Sequence, residues 1–343
     1  MKLGVVRAAL RLLFLGSLAL VAGALPARAQ TAVRFSLDGK IDGAAAPFLL
    51  AMDGGYFKRA GLDVTIDPAA SVMEPITRLA NESHDIALGD FNALIRWRDQ
   101  NPNVGIKAVF MVRDQAGYAV ISRRSRGITL PKDLEEAKIA VSPADAAAAQ
   151  WPIFVKLTNI DIQKATILHT GLPVREPMLA AGEVDAATGL NYSVPLNLQD
   201  KGVPANDIVV MRMSDYGMVL YGGAILVRPA FLSGKADAVK AFVAAFNDAL
   251  RDTIKDPTKA IEALMQRAPT LNREVELRRL NLLLKENVLT PRAKANGVGA
   301  IEPERFEKTL EQIGLAYSFK SRPKFVDIVD ESFLPAEMER TGN

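Results

Sequence analysis

The sequence predicts an α/β protein of two lobes, each a mixed, mostly parallel sheet flanked by helices, followed by a helical C-terminal tail. Three observations predict it. Short strand-like runs alternate with segments of helical period along the chain. The alternation falls into two runs, roughly 31–117 and 122–215, with no Pro/Gly/Ser linker at their border. The composition, 49% hydrophobic and 24% charged over 343 residues, is that of a packed globular protein. A chain of this length can bury one or two cores without disulfides.

The elements follow in order. Val33–Leu37 reads as a strand, and Ala44–Phe57 as a helix that stops near Gly61. Leu62–Ile66 alternates apolar and polar residues, as a half-buried strand does. Val72–Asn81 and Phe91–Arg98 carry helical spacing on either side of a short strand, Asp85–Leu88. Ile106–Val112 and Tyr118–Ser122 are strands; Pro131–Glu136 begins a short helix. The second run repeats the pattern. Lys138–Val141, Ala165–Leu168, Val184–Thr188 and Ile208–Met211 are strands, separated by helices at Ala144–Leu157, Val174–Ala181 and Val194–Gln199. Val219–Val227 is strand-like. Helices then cover Lys235–Ile254, Pro257–Gln266, Asn272–Glu286 and Pro303–Ile313. The connections near Val120–Arg124 and Met218–Val227 look like ordered strands, which suggests two lobes hinged about a cleft. The expected division is 30–120 with 218–343 as one lobe and 121–217 as the other.

Residues 1–29 have the order of a secretory signal peptide. Lys2, Arg7 and Arg11 precede an apolar run from Leu12 to Leu25, which ends at Pro26 and Ala27-Arg28-Ala29. Cleavage is expected after Ala29. The run is short beside the ~20 residues a membrane span needs. Without residues 1–29 the chain holds 38 basic and 39 acidic groups, so the net charge of +3 becomes about −1. The basic character belonged to the signal, which removes an argument for nucleic acid or membrane surfaces as partners. There is no cysteine, so disulfides, thiolate metal sites, a cysteine nucleophile and a lipid-modified N-terminal cysteine are all excluded. These features together predict a periplasmic protein that is not a lipoprotein.

Catalytic patterns are missing. The two histidines, His84 and His169, fall in different lobes and lack metal-ligand spacing. No phosphate-cradling Gly-x-x-x-x-Gly-Lys-Ser/Thr loop and no Gly-x-Ser-x-Gly elbow is present. No catalytic residue, metal or cofactor is predicted.

Polar loops after strands remain as candidates, since ligands of α/β sheets bind outside the carboxyl ends of strands. Five segments qualify: Asp38, Gly39, Lys40 and Asp42 after the first strand; Ser71 and Glu74 before the second helix; Asp90 and Asn92 after the third strand; Ser142 and Asp145 opening the second lobe; Asn191 and Tyr192 further on. Tyr221 lies near the return crossing and joins the set. Each polar residue could equally be a helix cap. The set is informative because both lobes would aim polar groups at one cleft. Lys40 is the only cation in these loops.

A family resemblance rests on further residues. Pro47-Phe48, Ala51 and the block Gly55-Tyr56-Phe57-Lys58-Arg59-Ala60-Gly61-Leu62-Asp63-Val64 resemble the A-x-x-x-G-Y-F-x-x-x-G-L-x-V signature of ABC-transporter substrate-binding proteins. The subgroup handles nitrate, sulfonate and taurine, or thiamine-pyrimidine precursors (NMT1/THI5-like and SsuA/TauA-like). Asp85–Gly89, Leu134 with Lys138–Val141, and Ala180–Ala186 match later motifs in order. The resemblance spans about 46–230. It implies a type II periplasmic-binding fold that closes on a small molecule and delivers it to a membrane permease and its ATPase. It also implies a monomer that meets the membrane only through the permease, with Tyr56 and Phe57 structural. Pyrimidine-precursor members carry Trp after the first strand's Leu-Asp; here Gly39 follows Leu37-Asp38. Related yeast enzymes use a cysteine cluster and an active-site histidine, and this chain has no cysteine. A sensor that presents ligand to a membrane receptor, and an enzyme on the same fold, are the alternatives.

Overall fold

The computed structural model describes residues 30–340, so the expected signal peptide lies outside the described residues. Two five-stranded sheets form the frame. The first contains β1 (Thr31–Ser36), β2 (Leu62–Asp67), β3 (Ile86–Asp90), β4 (Lys107–Met111) and β10 (Gly223–Val227), in the order β2-β1-β3-β10-β4. The second contains β5 (Tyr118–Arg123), β6 (Lys138–Val141), β7 (Thr166–His169), β8 (Ala186–Leu190) and β9 (Ile208–Arg212), in the order β7-β6-β8-β5-β9. The two orders are equivalent. In each, one antiparallel strand sits fourth: β10 against β3 and β4, and β5 against β8 and β9. The chain therefore crosses between sheets twice, at 112–117 and 213–222. The crossings bond to each other, since Arg113 N–H donates to Gly223 O at 2.9 Å and Gly222 N–H to Arg113 O at 3.0 Å.

Sequence and structure differ at these crossings. The stretch Val120–Arg124, expected to connect lobes, lies largely inside β5, a central strand of the second sheet. Of Val219–Val227 only Gly223–Val227 is strand. The residues before it bond to the hinge instead of to a ladder.

A helix follows each of the first three parallel strands of either sheet. These are α1 (Ala46–Asp53), α2 (Glu74–Ala80) and α3 (Phe91–Gln100) after β1, β2 and β3, then α4 (Ala146–Thr158), α5 (Leu172–Ala181) and α6 (Val194–Asp200) after β6, β7 and β8. The expected single helix over 44–57 is two. Gly55 takes φ +74°, and a Cβ on Gly54 would sit 2.7 Å from the Leu50 carbonyl oxygen, so the chain turns there. A one-turn helix, Tyr56–Arg59, follows. The tail adds α7 (Ala236–Lys255), α8 (Pro257–Arg267), α9 (Arg273–Leu283) and α10 (Pro303–Gly314). A π-turn over Leu284–Val288 continues α9.

Aromatic stacking joins this tail to the first lobe. Phe48 of α1 lies 4.8 Å from Phe35 of β1 and 4.0 Å from Phe246 of α7, ring centroid to centroid. Phe57 stacks on Phe242 at 4.6 Å. Tyr56 donates to Asp252, and burial with that carboxylate pushes its hydroxyl up to about 12. The Gly-Tyr-Phe block therefore anchors α7. A second anchor is Asp99, buried at the end of α3. It accepts the backbone N–H of Lys320 (2.8 Å), Ser321 (2.7 Å) and Arg322 (3.0 Å), together with the hydroxyls of Ser321 and Tyr317. Burial opposes its charge, but these donors outweigh it and pull its carboxyl down to about 2.

Two predictions follow from the packing. Phe48→Ala removes a ring shared by β1 and α7, and urea unfolding should show a loss of about 3–5 kcal/mol. Asp99 has a folded pKa of about 2 against an ordinary 3.8, so its contribution is complete above pH 4 and is lost as pH falls towards 2. Melting temperatures across that window should fall more steeply for the native chain than for Asp99→Asn.

Candidate ligand cleft

The carboxyl ends of the parallel strands in both sheets face one cleft of about 830 Å³. Of the residues expected there, Asp38, Gly39, Lys40, Asp42, Ser71, Asp90, Asp145 and Tyr192 line it. Five do not. Glu74 accepts Ala70 N–H at 2.6 Å and pairs with Arg78, which fixes the turn into α2. Asn92 is buried, donating to Tyr118 Oη at 2.8 Å and Tyr221 O at 2.7 Å. Ser142 is fully buried behind the strand end. Asn191 sits against Gly117, its Oδ1 2.7 Å from where a Cβ there would be. Tyr221 faces the tail: its hydroxyl accepts from Arg292 at 3.0 Å and from Glu302 N–H at 2.9 Å, with Arg305 3.9 Å over its ring.

Two of the lining carboxylates cap helices, and a third bonds within the turn ahead of α1. Asp42 accepts Ala44 N–H at 2.9 Å ahead of α1, Asp90 accepts Ala93 N–H at 2.8 Å in α3, and Asp145 accepts Ala147 N–H at 2.8 Å in α4. These helix ends are thereby supplied with negative charge from within the chain.

Sequence reasoning missed the cations. Arg113, directly after β4, binds Asp38 with both terminal nitrogens and lies 5.6 Å over the Tyr192 ring. Burial works against its charge, yet Asp38 with Tyr192 nearby holds the guanidinium above its usual pKa. Arg175, in α5, binds Asp145 and, at 2.8 Å, Glu176. Burial opposes this charge too, and the two carboxylates outweigh it. Both arginines line the cleft, so Lys40 is not its only cation. Arg113 obeys the strand-end rule that found the other residues and was legible on that ground. Nothing in the spacing marks Arg175 or Glu176, because they lie one turn into a helix.

Tyr118 donates to Asp90. Burial is the main reason that the Asp90 carboxyl is raised, with the Tyr118 bond only partly offsetting it. Asp42 is likewise raised, first by burial, with Arg279 opposing.

Contacts between the lobes close the rim. Val72 N–H donates to Ala144 O at 3.0 Å, and Arg96 donates to Gln150 at 3.1 Å. On the other side Arg279 of α9 donates to Ser193 Oγ at 2.9 Å and Asn197 Oδ1 at 3.1 Å. Arg279 is itself held by Glu276, whose Oε2 accepts Gly43 N–H at 2.6 Å.

The family description "NMT1/THI5 like" matches residues 43–260, well over half of the chain. The chain belongs to the NMT1/THI5-like family. A formylaminopyrimidine-binding protein of Halalkalibacterium halodurans is 23% identical to this NMT1/THI5-like chain over 69% of it and 72% of the relative. The 4-amino-5-hydroxymethyl-2-methylpyrimidine phosphate synthase THI13 of Saccharomyces cerevisiae is 21% identical over 67% and 69%. Among solved structures, the alkanesulfonate-binding protein SsuA of Xanthomonas axonopodis pv. citri, bound to MOPS, superposes with a TM-score of 0.66 at 14% identity, covering 88% of this chain and 98% of that one. At that identity the likeness shows the fold, a periplasmic-binding-protein fold.

The pairing in the cleft is testable. Arg175→Met strands Asp145 and Glu176 without their shared cation. The loss in urea unfolding should be about 3–5 kcal/mol.

Proposed function

We propose that this NMT1/THI5-like protein is an exported solute-binding protein that captures a small organic molecule between its lobes and delivers it to the permease and ATPase of an ABC importer. The observation that carries the reading is the cleft of about 830 Å³ at the strand ends of two sheets, with paired crossings between them. Pockets for small organic ligands run to ~300–1,000 Å³. The bodies that close are residues 30–117 with 218 onward, and 118–217. We propose this boundary in place of 120 on the ground that β5 begins at Tyr118.

Export to the periplasm rests on the signal-like order of residues 1–29. Among the described residues no helix is long and apolar enough to cross a membrane, which accords with contact to the membrane only through the permease. We propose a monomer, since one face must remain open to that partner, and binding without catalysis. Neither histidine lines the cleft: His84 pairs with Asp67 at 3.0 Å, and His169 is exposed at the end of β7. Of the cleft carboxylates, Asp90 and Asp145 are held as helix caps and Asp38 as the partner of Arg113.

A thermal-shift screen of residues 30–343 against sulfonates, carboxylates, amines and heterocycles tests the reading. A compound present at 100 times its Kd should add about 2.7 kcal/mol. X-ray scattering should then show a smaller radius of gyration, and the compound should be recovered unchanged. A chemically altered product would replace binding with catalysis. No shift, even after unfolding and refolding to remove any carried-over compound, would sink the reading.

A further inference from the structure

The charges of the cleft do not balance. Asp38, Asp42, Asp90, Asp145 and Glu176 line it, and against them stand two buried cations, Arg113 and Arg175. Lys40 and Lys201 are at exposed positions of the lining, and Asp200 accompanies them there. Arg279 approaches Asp42 at 3.8 Å, but it is already bonded to Glu276. Arg113 is taken up by Asp38, and Arg175 by Asp145 and Glu176. An oxyanion would have to displace a carboxylate from each guanidinium, and the capped starts of α3 and α4 offer it no seat.

The spare hydrogen-bonding capacity points the same way. One oxygen of Asp42 accepts Ala44 N–H, while its Oδ2 has no hydrogen bond among the described residues. Glu176 Oε1 takes Arg175 and Asn197, while its Oε2 has none among the described residues. Both residues are more than nine-tenths buried and both line the cleft, one from each lobe. Asn191, buried against the cleft residue Gly117, holds an Oδ1 that likewise has no hydrogen bond among the described residues. These are acceptors. The unmatched donors of the arginine pairs are the Nε–H groups of Arg113 and Arg175, which suit a neutral acceptor elsewhere on a ligand.

We propose that the ligand carries a cationic nitrogen group, a protonated amine, amidine or guanidine, held between Asp42 of the first lobe and Glu176 of the second. The inference rests on the binding reading above and deepens it. Closure brings the two carboxylates towards one charge and removes water from around it, so the nitrogen group is also what favours the closed state. Free protein holds these carboxylates without full compensation. Neutralising either one should therefore leave the unliganded fold as stable as before, or more so, while weakening the ligand.

The experiment uses the chain from residue 30 onward, freed of carried-over compound by unfolding and refolding. A bacterial metabolite extract is divided by ion exchange into cationic, anionic and neutral fractions. Each is presented to the protein, which is then weighed by native mass spectrometry. Agmatine and benzamidine are added as defined cations, benzamide and benzoate as their neutral and anionic counterparts. The expected result is an adduct from the cationic fraction alone. Asp42→Asn and Glu176→Gln should each lower its affinity at least tenfold with an unchanged or higher melting temperature. Glu183→Gln, which alters an exposed carboxylate outside the cleft, should stay within twofold. An adduct from the anionic or neutral fraction would overturn the charge class and leave solute binding standing. A cationic adduct indifferent to both substitutions would overturn the assignment to Asp42 and Glu176. No adduct from any fraction would overturn the binding reading, and this inference with it.

Discussion

One buried guanidinium ties the cleft together. Arg279 is 1% exposed, and its bonds reach three parts of the chain. Glu276 on its own helix orients it, and through Glu276 it fixes Gly43 in the loop after β1. Its other nitrogens hold Ser193 and Asn197 of the second lobe. A buried ion pair contributes little net stability, but losing one partner leaves a charge stranded in a dry site. The arrangement therefore specifies geometry. It sets where Asp42 stands and how the start of α6 meets the tail. The aromatic stack of Phe48, Phe246 and Phe242 supplies the apolar part of the same task, holding α7 against β1 so that α9 can reach the second lobe.

Much of this was legible in the residues. Alternating strand and helix patterns placed the elements, and most bounds moved by only one or two residues. The Gly-Tyr-Phe block read as structural is structural: Phe57 is buried against α7, and Tyr56 reaches Asp252. The failures have physical causes. Periodicity cannot see that Gly54-Gly55 breaks a helix when the flanking apolar spacing continues through it. Nor can it assign β5 and β10 to sheets, because strand pairing is a long-range choice. Eight of thirteen candidate cleft residues do line it. Those that do not, such as Glu74 and Asn92, are polar residues at the right loops whose side chains turn to the backbone or to the hinge. Arg175 and Glu176 were invisible because a charged pair on a helix usually faces water.

The cleft also shows how capping and recognition share residues. Asp90 and Asp145 satisfy free N–H groups at the starts of α3 and α4, and the same carboxylates bind Tyr118 and Arg175. A residue chosen to begin a helix thus becomes part of the wall. This is why a residue such as Asp90 or Asp145 can be a helix cap and still line the cleft.

The interleaving of the two sheets governs the order in which they can be assembled. The second sheet is continuous in sequence, from Tyr118 to Arg212, and is complete once that stretch has been made. The first is not. Its third and fourth parallel strands, β3 and β4, have no hydrogen-bonding partner between them until Gly223–Val227 arrives. A chain emerging from its N-terminus holds these two strand edges open for more than a hundred residues. During that interval they are the places where another chain could pair wrongly. A chaperone or export partner that binds extended apolar segments would be met first by Ile86–Leu88 and Ala108–Met111, before the cleft exists.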